Sequence, residues 1–144
     1  MKLFTIGFTK SDARHFFGRI QQAGVKRVVD VRLNNLSQLA GFAKKDDLQF
    51  FLQEICHVDY THELTLAPTQ EMLDDIRKHG ENWQVYEQRF LALLAERRVA
   101  ETLKRSDLDG ACLLCSEATP HQCHRRLIAE YLQREWGGVE VVHL

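Results

Sequence analysis

The chain has 144 residues, 19 Lys and Arg against 20 Asp and Glu, and a formal net charge of -1. That length supports one hydrophobic core and buries about 70% of the surface an unfolded chain exposes, while the balanced charge gives no polybasic footprint and does not indicate nucleic acid. No apolar run approaches a membrane span and the run after Met1 and Lys2 is too short for a signal peptide, so a cytoplasmic protein is expected, off the membrane, with its four cysteines reduced.

In chain order, Leu3 to Ile6 reads as a strand closed by Gly7. A helix follows, capped by Thr9 or Ser11, with Ala13, Phe16, Phe17, Ile20 and Ala23 at helical spacing and Gly24 at its end. Val25 to Val31, rich in β-branched residues, is a second strand with Asp30 and Arg32 at its exit. After a loop from Leu33 to Phe42 comes a helix from Asp46 to Cys56, then a short strand, Val58 to Thr61, delivering His62 and Glu63 to its carboxyl end. Thr69 caps a helix that Gly80 is placed to close.

Trp83, Tyr86, Phe90, Leu93 and Leu94 line another helix, extended by Val99 to Leu103. Asp109-Gly110 introduces a fourth strand, Ala111 to Leu114. The helix from Cys123 to Arg134 follows a loop containing Pro120, and Gly137-Gly138 turns into a last strand, Val139 to Val142. The sum is one α/β domain over residues 1–144: a five-stranded, mostly parallel sheet with helices on both faces, Rossmann-like and doubly wound.

In such sheets the loops after the strands open on one edge, where ligands bind. The expectation is that Thr9, Asp30, Arg32, His62, Cys115 and Glu117 converge there. Cys115 sits at a strand end just before a helix start that carries Arg125 and Arg126, and both backbone N–H groups and cations favour a thiolate. It is the candidate nucleophile, or else a buried small hydrophobe like Cys112. Arg32 and Arg125 are candidate clamps for an anionic group. Glu117, Asp30 and His124 are candidate acids or bases, while Asp30 equally suits a salt bridge that fixes the strand end.

Thr9, Cys123 and His62 complete the candidate substrate-binding set. Cys123 could resolve an oxidised Cys115 or bind metal with it. Cys115, Cys123 and His124, with Glu117 or His62, suit zinc chemically, though their spacing matches no short Cys-x-x-Cys pattern and no metal is assigned. Phe16, Phe17, Phe50, Phe51 and Trp83 read as core.

Thr5-Ile6-Gly7, Asp30-Val31-Arg32, Leu114-Cys115-Ser116-Glu117 with Pro120, and Cys123-His124-Arg125, in that order, resemble the domain of unknown function 488 family over almost the whole chain. Asn34, Ser37-Gln38, Gly41-Phe42, Leu66-Ala67-Pro68-Thr69 and Tyr86-Glu87 resemble one branch of it. The resemblance implies a small bacterial or archaeal cytosolic α/β protein with a site at Asp30, Arg32, Cys115, Glu117, Cys123, His124 and Arg125. It supplies no activity and no cofactor. Where the family usually opens Thr-Ile-Gly-His-Ser, this chain has Phe8 and Thr9, so a histidine's role there is absent or passes to another residue. The expected function is a cysteine-dependent enzyme acting on a small anionic or electrophilic molecule; the alternative is a metal-binding or nucleic-acid-binding module without turnover.

Overall fold

The computed structural model describes residues 1–35, 41–116 and 122–144. Five strands, β1 (Lys2–Gly7), β2 (Arg27–Asp30), β3 (Asp59–His62), β4 (Ala111–Cys115) and β5 (Glu140–His143), form one sheet in the order β3-β2-β4-β1-β5. Every pairing is parallel, including that of β5, so the expected mostly parallel sheet is wholly so.

Alternation along the strands sorts their side chains between two cores. Leu3, Val29, Val31, Leu113 and Cys115 pack on one face; Phe4, Ile6, Val28, Cys112 and Leu114 pack on the other. The second face is covered by α1 (Ala13–Ala23) and α2 (Lys45–Phe51), with Phe16, Phe17, Ile20 and Leu48 inward. The first is covered by α3 (Gln70–Arg77), α4 (Trp83–Glu96), α5 (Val99–Thr102), α6 (Arg105–Leu108) and α7 (His124–Trp136). In α4, Tyr86, Phe90 and Leu94 recur every four residues and form its buried stripe.

Local chemistry explains where the elements begin and end. The cap of α1 is Asp12, not Thr9 or Ser11: its carboxylate accepts from the His15 N–H at 2.8 Å. Gly24, with φ of 70°, closes that helix in the left-handed conformation. The helix that opens as α2 ends in a wider π turn over Leu52–Cys56. Arg98, with φ of 54°, breaks α4 from α5, so the expected continuation is a separate turn. Helix α6, which carries no periodic signal of its own, was not expected. Strand β3 lies one residue later than its apolar run suggests, which makes His62 its last residue.

The strand order places the rim that carries Cys115. The chain leaves β1 for β2 past β4 on the α1 face, and leaves β4 for β5 past β1 on the α7 face. The connections after these two adjacent strands therefore depart on opposite faces, which opens the carboxyl edge beside β4.

Leu113 is fully buried in the central strand. Leu113→Ala should lower unfolding stability by about 2–5 kcal/mol in a urea titration, whereas Leu64→Ala, at 52% exposed, should cost well under about 1 kcal/mol.

Candidate functional site

Cys115 closes β4, and Cys123 and His124 open α7, so strand, loop and helix return three donor groups to one place. All three residues are buried. The Cys115 sulfur lies 3.4 Å from His124 Nδ1, and His124 Nε2 lies 2.7 Å from the Val31 carbonyl oxygen. A carbonyl only accepts, so Nε2 carries the hydrogen and Nδ1 is the ring nitrogen that faces the sulfur. Phe90 packs edge-on against the imidazole, with centroids 5.5 Å apart, and holds its orientation from the other side.

Cys123 is the partner thiol. Its hydrogen bond with Cys115, and then burial, push it well above the usual thiol range, so it remains protonated. Arg125, 1% exposed, directs Nη1 to the Cys123 sulfur at 3.5 Å. This expected anion clamp is thereby built into the support of the cysteine loop. Cys112 is a buried hydrophobe whose thiol burial pushes far up, as the structural alternative for an isolated cysteine predicts.

The three donors open on a cavity of about 240 Å³ lined also by Leu73, Ile76, Arg77, Trp83, Tyr86 and Gln122. Trp83 and Tyr86 read in the sequence as part of the apolar stripe of one helix. Their second surface, toward the sulfur, carried no signal because periodicity reports burial and cannot separate a core wall from a cavity wall.

Asp30 and Arg32 reach the same rim on the other face of the sheet. Arg32 Nε and Nη2 bond the two Asp30 oxygens at 2.8 and 2.6 Å, in a bidentate pair that is 0% and 4% exposed. The Tyr60 hydroxyl donates to Asp30 Oδ2 at 2.5 Å and receives Asn35 Nδ2 at 3.0 Å; burial and the Asp30 charge push that phenol far up. The guanidinium also lies 5.2 Å from the Phe8 ring centre, on the α1 side. Neither residue lines the Cys115 cavity, so the salt-bridge alternative describes Asp30, and Arg32 is not brought to the sulfur. Only the backbone of this strand exit meets the site, through the Val31 carbonyl.

His62 Nε2 donates to the Arg32 carbonyl at 2.6 Å and braces the same exit. It is not in the Cys115 cluster. Thr9 is exposed, and its N–H meets the Ser116 carbonyl at 2.9 Å, tying the first loop to the cysteine loop. Glu117, Pro120, Ser37 and Gln38 lie outside the described residues.

The family can now be stated. Residues 12–132 match the family described as domain of unknown function DUF488, and the chain belongs to it. No curated protein and no solved structure matches the chain. The residues that carry the family resemblance thus divide by face: Cys115, Cys123, His124 and Arg125 on the α7 side, Asp30 and Arg32 on the α1 side.

Breaking one side of the Asp30–Arg32 pair leaves a buried uncompensated charge. Asp30→Asn should cost about 3–5 kcal/mol in chemical denaturation, and the double substitution Asp30→Leu with Arg32→Met should recover most of that loss.

Proposed function

We propose that this DUF488 protein is a cysteine-dependent enzyme in which Cys115 attacks a small electrophilic or anionic substrate and His124 moves the proton. The observation that carries this reading is the Cys115–His124 contact, 3.4 Å from sulfur to Nδ1, with the opposite ring nitrogen committed to the Val31 carbonyl at 2.7 Å. Nucleophile, base and orienting group are the three parts such a site requires, and here a backbone oxygen is the orienter. His124 takes the Cys115 proton, the sulfur forms a bond to the electrophilic carbon, and the departing group takes its bonding pair and that proton. The start of α7 adds the positive end of a helix dipole.

One observation favours a second reading. The ligand atoms of Cys115, Cys123 and His124 all lie within 4.8 Å of one another. Two sulfurs and an imidazole whose other nitrogen is bound to a carbonyl fit zinc or a similar soft cation, leaving the cavity side for a fourth ligand. In that reading Cys123 is a ligand of equal rank; in the first it is a supporting thiol.

Iodoacetamide labelling followed by peptide mass spectrometry separates the two. Cys115 should react at neutral pH faster than N-acetylcysteine, His124→Ala should slow it roughly tenfold, the effect of about one unit of thiol pKa, and Cys123→Ser should leave it reactive. Thiolate absorbance followed through a pH titration should show the same order. Labelling no faster than N-acetylcysteine sinks the nucleophile. One equivalent of zinc that survives dialysis and is lost in Cys123→Ser establishes the metal site instead.

A further inference from the structure

Among the residues that line the Cys115 cavity outside the sulfur–imidazole pair are Arg77, Trp83 and Tyr86. Trp83 and Tyr86 stack with ring centres 5.0 Å apart and planes at 23°, and Tyr86 continues onto Phe90 at 6.2 Å and 7°. The three rings therefore form one stack along α4, with Phe90 edge-on to His124 and Trp83 at the other end, where it lines the cavity.

Tyr86 is 2% exposed, yet among the described residues its hydroxyl takes no hydrogen bond. Its oxygen is not one of the fully enclosed unpartnered atoms, so it keeps contact with the open space of the cavity that the ring lines. Burial first, and then Cys115 and Cys123 nearby, push its ionisation far above the usual tyrosine range, so the group is a donor. Arg77 is exposed and forms no ion pair among the described residues, and among the described residues that line the cavity none is a carboxylate.

We propose that the cavity binds a small planar anion: an aromatic or heteroaromatic ring against Trp83, an acceptor atom on the Tyr86 hydroxyl, and an acidic group at Arg77. This names the substrate class of the proposed cysteine enzyme and rests on that reading. Size supports it. A dry cavity of roughly 150 Å³ accommodates benzene, so about 240 Å³ takes a ring with substituents and no polymer segment.

The test follows the Trp83 indole N–H by nuclear magnetic resonance. Trp136, whose Nε1 is tied to the Ala100 carbonyl at 2.8 Å, serves as the internal reference. Benzoate and phenyl phosphate are the aromatic acids; cyclohexanecarboxylate removes the flat ring and benzamide removes the charge. At least one aromatic acid should shift Trp83 saturably, leave Trp136 in place and slow Cys115 alkylation, with cyclohexanecarboxylate and benzamide about tenfold weaker. Tyr86→Phe should weaken the aromatic acid about fivefold, as loss of one hydrogen bond does, and Arg77→Gln should abolish the preference over benzamide.

Equal binding of cyclohexanecarboxylate, an unchanged preference in Arg77→Gln, or no probe moving Trp83 overturns the proposal. Alkylation of the free protein reads the cysteine separately. A fast Cys115 without ring binding sinks only this inference, and ring binding beside a sluggish Cys115 sinks only the enzyme reading.

Discussion

The hydrogen bond from His124 Nε2 to the Val31 carbonyl joins the start of α7 to the exit of β2 across 93 positions of sequence. It does two things at once. It satisfies a carbonyl just past the end of the strand ladder, where no neighbouring strand is placed to do so, and it decides which imidazole nitrogen faces Cys115. The sulfur, the cap of α7 and the aromatic stack of α4 take their relative positions from that anchor, because the imidazole lies between Phe90 and the cysteine.

A parallel sheet supplies the rest of the constraint. Its strand ends all open on one edge, but alternation sends neighbouring side chains to opposite faces. Val31 and Cys115 belong to the α7 side, whereas Asp30 and Arg32 meet Tyr60 and Phe8 on the α1 side. One rim therefore carries two polar assemblies back to back. The first is a sulfur–imidazole group open to a cavity. The second is a buried bidentate ion pair that Tyr60 also bonds, with Arg32 Nη1 left buried and without a hydrogen bond.

Arg125 shows how the same residue type changes role with depth. At the helix start it has the charge and reach of an anion clamp, but at 1% exposure it lies in the layer beneath the cavity and bonds the Cys123 sulfur. Arg77, which is exposed, is the arginine that lines the cavity among the described residues.

The α/β class, the five strands and the helices that cover them were legible because burial imposes a period: β-branched runs for strands enclosed on both faces, and Phe16, Phe17 and Ile20 or Tyr86, Phe90 and Leu94 for helices with one face inward. The prominence of Cys115, Cys123 and His124 was legible too, since reactive side chains at a strand–loop–helix junction stand out against an apolar background. The α1 cap was misplaced because Thr9, Ser11 and Asp12 all offer an oxygen and only the geometry of the turn selects one. What tertiary structure alone decided is the face each rim residue takes, the imidazole tautomer and the second surface of the α4 stripe. Each of these depends on contacts between residues far apart in the chain, and a pattern of period two or 3.6 records that a side chain is buried without recording what it is buried against.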